Sequence, residues 1–202
     1  MTASEGEGAL EVARRTLCQE VESIQAMVER LDEAFTRVAT MLAGCEGLIF
    51  TTGVGTSGAV AERFAHILNC CGARSMFIHP SDSLHGHSGA LGRGDVLVAI
   101  SRGGSSYEVT RFAQIARDRG VPTACLVDNT ESELARLSDV VLAVKTKAGY
   151  ELMGYVATTS SLVQSAVCDA LCAVVQAMKG YTVDAFKETH PEGGVGKQLH
   201  GE

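Results

Sequence analysis

Residues 95–108, DVLVAISRGGSSYE, decide the fold. Positions 96–100 are apolar without alternation, which suits a strand covered on both faces, as in a parallel sheet. The run stops at Ser101 in a Gly/Ser turn. From Ser106 to Arg119 the apolar positions then recur at helical spacing. A strand, a glycine-rich turn and a helix make half of a βαβ unit.

The same texture extends in both directions. Short apolar runs at 47–52, 75–79, 95–101, 123–128 and 140–145 predict five strands. Helices are expected between them at 58–71, 106–119 and 131–137. Before the first strand, Leu17, Val21, Ile24, Met27, Val28, Leu31, Phe35, Val38 and Leu42 follow helical spacing. They predict one or two amphipathic helices, with a break near Asp32. After the fifth strand come a loop at 146–157, a long helix at 158–179 and a short one at 183–188. Residues 1–8 are expected to fray, and the Gly-rich stretch 190–199 reads as a tail that folds over something. Linkers and internal repeats are not seen. The chain reads as a single domain over 1–202: a helical appendage at 1–45, an α/β core at 46–180, and a terminal helix with its tail at 181–202.

Hydrophobic residues make up 46% of the 202 positions, enough to bury a sizeable core. A formal charge of −7 argues against nucleic acid as a partner, because phosphate backbones are held by clustered Lys and Arg. The long apolar helix carries Gln164, Asp169 and Gln176, which argues for a buried helix and against a membrane span. Seven cysteines without a CxxC pair, and without an apolar signal segment, imply reduced thiols in a cytoplasmic protein.

Two turns stand where ligands of open parallel sheets bind, beyond the carboxyl ends of strands. One is GVGTSG at 53–58, after the first strand; the other is SRGGSS at 101–106, after the third. Glycines let backbone amides approach an anion, hydroxyls add donors, and a helix N-terminus adds unpaired N–H groups. A phosphate fits such a site. Either turn alone could be purely conformational; the pair can converge on one crevice. Neither a GxGxxG turn nor a GxxxxGK[ST] run occurs, which argues against a dinucleotide fold and a P-loop. No cofactor is expected.

The whole chain resembles the sugar isomerase (SIS) domain of D-arabinose-5-phosphate isomerases, without the paired regulatory domains that often follow it. The resemblance rests on LEVARRTL at 10–17, GVGTSG, His79-Pro80 through His85-Gly86, AISRGGSSYEV at 99–109 and HPEGGVGKQL at 190–199. It implies a three-layer αβα sandwich of flavodoxin-like type around a five-stranded parallel sheet, and a homo-oligomer, dimer or tetramer. It also implies aldose–ketose isomerisation of a phosphorylated sugar through an enediol. The family's base and histidine fall on Glu108 and His190. Its lysine falls on Thr56, as in aminosugar-phosphate relatives, and its second glutamate on Gly149, with Glu151 two residues on as a relocated base. Gly103 replaces a serine and Arg102 an amide side chain. Gly55, Thr56, Ser57, Ser101, Arg102, Gly103, Ser105 and Ser106 are thus expected to bind phosphate and sugar, and His85 to meet a sugar hydroxyl. The family's metal position falls on His79, although the histidine spacing here matches no standard zinc pattern. Glu108 also stands at capping-box spacing from Ser105, so cap and base are both open. Arg102 is equally readable as a solvated surface residue. The rival functions are a non-catalytic sugar-phosphate sensor and an aminosugar-phosphate isomerase.

Overall fold

A computed structural model of the protein describes residues 8–201. The segment expected to fray lies, except for Gly8, outside the described residues. Of the one or two helices expected before the sheet, two form, helix α1 (Ala9–Val28) and helix α2 (Glu33–Ala43). The break falls where expected: the Asp32 carboxylate accepts the Ala34 N–H at 2.9 Å and starts α2 as an N-cap.

The five strands are β1 (Ile49–Thr52), β2 (Ser75–Phe77), β3 (Val96–Ile100), β4 (Thr123–Val127) and β5 (Val140–Ala143). All pair in parallel, in the order β2-β1-β3-β4-β5. The three central strands are buried at every position, which explains why their sequences do not alternate. Val96, Val98 and Ile100 face one layer; Leu97 and Ala99 face the other.

The first layer holds α1, α2, helix α3 (Gly55–Cys70) and helix α7 (Thr159–Lys179). The second holds helix α4 (Pro80–Ser83), a 3-10 turn (His87–Ala90), helix α5 (Tyr107–Asp118) and helix α6 (Glu133–Leu137). The β1-α3-β2 and β3-α5-β4 crossovers therefore lie on opposite faces. The chain reverses its direction of travel across the sheet between β1 and β3, opening a crevice there.

Helix α7 is long and apolar enough to cross a membrane by composition, yet here it packs against α1, α2 and α3. Its polar residues find partners within the domain. Gln164 is buried and accepts from the Ser57 hydroxyl at 3.4 Å. Asp169 takes both arms of the Arg63 guanidinium at 2.7 and 3.0 Å, and the Gln176 amide donates to the Tyr181 carbonyl.

The chain closes with helix α8 (Val183–Thr189) and helix α9 (Gly193–His200). The expected open tail is thus a helix despite its poor propensity. Gly196 explains the close approach: a Cβ there would stand 2.7 Å from the His190 carbonyl oxygen. Only glycine lets this helix fold back on the 190–191 turn.

Candidate functional site

The two Gly/Ser turns meet at the β1/β3 crevice. Thr52 pairs with Ala99, and a Cβ on Gly53 would lie 2.9 Å from the Ile100 carbonyl oxygen, so the strand ends abut. Helix α3 begins at Gly55, three residues earlier than expected. Gly55 (φ +59°), Thr56 and Ser57 consequently form its first turn rather than a loop before it. Val54 stands at the N-cap position and offers no side-chain acceptor, which leaves the first amides of a 16-residue helix open.

The second turn is braced from below. Ser101 is buried, and its hydroxyl oxygen accepts the Gly104 N–H at 3.1 Å while its own proton stays available to donate. Gly104 (φ +65°) accepts the Leu134 N–H through its carbonyl. A Cβ on it would overlap the Ser132 hydroxyl at 2.1 Å. Gly103 and Ser105 are exposed, and Ser106 is half-buried.

Ser106, not Ser105, occupies the N-cap position of α5, without a side-chain cap bond. The capping box that Ser105 and Glu108 could have formed is absent. Glu108 stands second in α5, half-buried, with no hydrogen-bond or ion-pair partner among the described residues. Its carboxylate is free to meet a ligand.

Glu151 is placed differently from an exposed loop carboxylate. It is 4% exposed, and it caps α7 by accepting the N–H of Thr158 at 2.7 Å and of Ser160 at 3.1 Å. Arg102 reaches it from the second turn, Nη1 to Oε1 3.3 Å. The solvated reading of both residues therefore gives way to an ion pair with one buried partner. The loop carrying Glu151 is tied to α1 as well: Glu22 accepts from the Tyr150 hydroxyl at 2.7 Å and from the Lys147 ammonium at 3.1 Å. Those two donors, Tyr150 foremost, hold the Glu22 carboxyl below its ordinary range.

The histidines divide between the two ends of the sheet. His79 follows β2 at the crevice end, exposed, at the N-cap position of α4 without a side-chain cap bond, and edge-on to Phe77 at 6.4 Å. Among the described residues no three His, Cys, Asp or Glu side chains group to hold a metal, so His79 stands without the co-ligands a zinc site needs. His85 is exposed just after α4, in the same connection. His190 lies at the far end of α3, stacked on Phe186 at 3.8 Å, with its Nε2 3.6 Å from the Cys70 sulfur. The crevice of one chain therefore brings together Gly55, Thr56, Ser57, residues 101–106 and Glu108, with Glu151 behind Arg102. It does not bring His190.

Residues 41–174 match the family model described as the SIS domain. The chain belongs to the SIS domain family. Over 189 residues this SIS domain is 30% identical to arabinose 5-phosphate isomerase KdsD of Shigella flexneri, covering 94% of the chain and 58% of that protein. The chain thus spans less than two thirds of the curated relatives it matches. Among solved structures, a candidate sugar-phosphate isomerase of Listeria monocytogenes superposes with a TM-score of 0.85 at 27% identity, covering 93% of this chain and 100% of that one. A candidate phosphosugar isomerase of Bacteroides fragilis gives 0.86 at 26% identity, with coverages of 93% and 100%.

Two features of this SIS domain escaped sequence reasoning. The buried partnership of Gln164 with Ser57 joins α7 to the first turn. The Ser132 hydroxyl occupies the space beside Gly104. Both involve residues far apart in the chain, with no local pattern to mark them.

Proposed function

We propose that this SIS domain binds a phosphorylated sugar and interconverts its aldose and ketose forms, with arabinose 5-phosphate the nearest substrate. The carrying observation is the convergence of two uncapped helix N-termini with the unpartnered carboxylate of Glu108 in one crevice. Phosphate is favoured there by the open amides, the hydroxyls of Thr56, Ser57, Ser105 and Ser106, and Arg102. His85 contacts a sugar hydroxyl.

The chemistry is a proton shift. Glu108 takes the proton from C2 of the open aldose, the electrons form a C1–C2 enediol, and the proton returns to C1 as C2 becomes the carbonyl. The balance closes without a redox partner. His190 serves ring opening or the oxygen protons in the crevice of a neighbouring copy, which makes the working form a homo-oligomer, and the cytoplasm is its setting. Such an assembly has an apolar surface to use: Leu10, Leu17, Val21 and Val28 on α1 are all more than half exposed.

Exchange of deuterium from solvent into C2 of aldose phosphates, followed by NMR, tests the reading. Exchange with a pentose or hexose phosphate, lost on Glu108→Gln, is expected. Tight binding without exchange would instead favour the sensor. That alternative is supported by Thr56 in place of a lysine and by the full engagement of Glu151.

A further inference from the structure

We propose that Glu151 is a positioning residue that holds Arg102 at the phosphate turn, and not a base that moves the substrate's proton. The inference rests on the phosphate-binding reading above. A carboxylate has about four lone-pair sites. At Glu151 the N–H of Thr158, the N–H of Ser160 and the Arg102 guanidinium address three of them, at 2.7, 3.1 and 3.3 Å, while the Thr158 hydroxyl, 3.4 Å away, shares its one proton with the Val156 carbonyl at 3.3 Å. The side chain is 3% exposed. A proton leaving a sugar carbon would have to displace one of these donors from a buried group.

Arg102 is the complementary half. It is the one Lys or Arg in the two turns, 53–58 and 101–106. Its backbone is pinned at the residue that follows β4, because its carbonyl accepts the Asp128 N–H at 2.9 Å. Its side chain is 40% exposed, so one edge of the guanidinium meets Glu151 while other donors stay open. Glu151 in turn sits on the N-terminus of α7, a 21-residue helix packed into the first layer. The second turn and the loop after β5 are thereby linked through one ion pair, and the guanidinium is fixed before a phosphate monoester arrives. A flexible arginine would have to be ordered on binding.

The test measures binding of arabinose 5-phosphate and inorganic phosphate to the full chain by calorimetry. The proteins are wild type, Arg102→Gln, Glu151→Gln and the double variant. Glutamine at 151 removes the charge and keeps one oxygen, enough for one of the two α7 amides, which approach different carboxylate oxygens. Arg102→Gln should weaken arabinose 5-phosphate by about 10–100-fold, the size of a lost hydrogen bond to a charged group. Glu151→Gln should weaken it by about three- to tenfold, and should add nothing once Arg102 is gone. Equal losses from Glu151→Gln with and without Arg102 overturn the proposal. So does unchanged affinity with kcat reduced more than about 100-fold, the mark of a lost base. If wild type turns over no sugar phosphate, the isomerase reading fails while the binding cycle still decides this one. Should Glu151→Gln not fold, Arg102→Lys decides. An ammonium cannot span carboxylate and phosphate as a guanidinium does, so its binding should weaken, and wild-type affinity overturns the proposal.

Discussion

His190 touches Cys70 of its own chain, Nε2 to Sγ 3.6 Å, at the end of α3 opposite the turn that opens the same helix. Sixteen helical residues span about 24 Å. The imidazole therefore cannot reach the crevice of its own chain without unfolding the C-terminal segment.

Mixed assemblies should reveal where it acts. His190→Gln and Glu108→Gln should each lose about 10²–10⁴-fold in turnover. Co-refolded together, they should regain part of it, because a crevice with intact Glu108 can then receive an intact His190 from its neighbour. Assembled mixtures that stay inactive would mean that the histidine does not act in the crevice of its neighbour.

Gly104→Ala should destabilise the fold by about 2–5 kcal/mol, combining a left-handed backbone with an overpacked contact. The new methyl would meet the Ser132 hydroxyl at 2.1 Å, so α6 or the 101–106 turn must move. Urea unfolding measures the loss. A second change, Ser132→Gly, should recover the packing part and leave the backbone part.

Ser101 and Ser106 should behave differently although both are serines of one turn. Ser101→Ala removes the acceptor for a buried N–H, and should cost about 1–3 kcal/mol of stability as well as phosphate affinity. Ser106→Ala removes no cap bond, so stability should shift by less than about 0.5 kcal/mol while affinity for the phosphorylated sugar falls. Paired melting curves and titrations with phosphorylated and free sugar compare them. A drop in stability for Ser106→Ala would mean that its hydroxyl is structural.

Stability should fall in alkali for a reason held in the core. Burial pushes the Cys125 thiol up to about 11, and raises Cys168 and Cys172 as well. The folded state holds these protons more tightly than the unfolded chain, whose thiols titrate near about 8.5. The contribution is full below that pH and is lost as pH rises toward 11. For Cys125 alone it is on the order of 3 kcal/mol. Urea midpoints across this range should decline less steeply for Cys125→Ala. In the native protein a thiol reagent should label exposed Cys18 first and the three buried thiols only on unfolding.

Sequence alone determined the strands, the burial of the three central ones on both faces, and the two Gly/Ser turns that end β1 and β3. These are local properties: a run such as VLVAI states that both faces are covered, and GVGTSG or SRGGSS states that the backbone can turn sharply and expose amides. Helix starts were legible only to within a few residues, because α3 recruits Gly55, Thr56 and Ser57 once β1 is paired. Tertiary structure alone decided what each polar side chain meets. Glu151 and Arg102 are 49 residues apart in numbering (151 − 102), yet the β5–α7 loop folds over the β3–α5 turn and makes them one ion pair. His190, placed by motif in the catalytic set, was sent to the other end of α3 because α8 and α9 close around Gly196 there. Sequence spacing encodes which face a residue takes; which residue faces it across the fold depends on crossings that no local pattern carries.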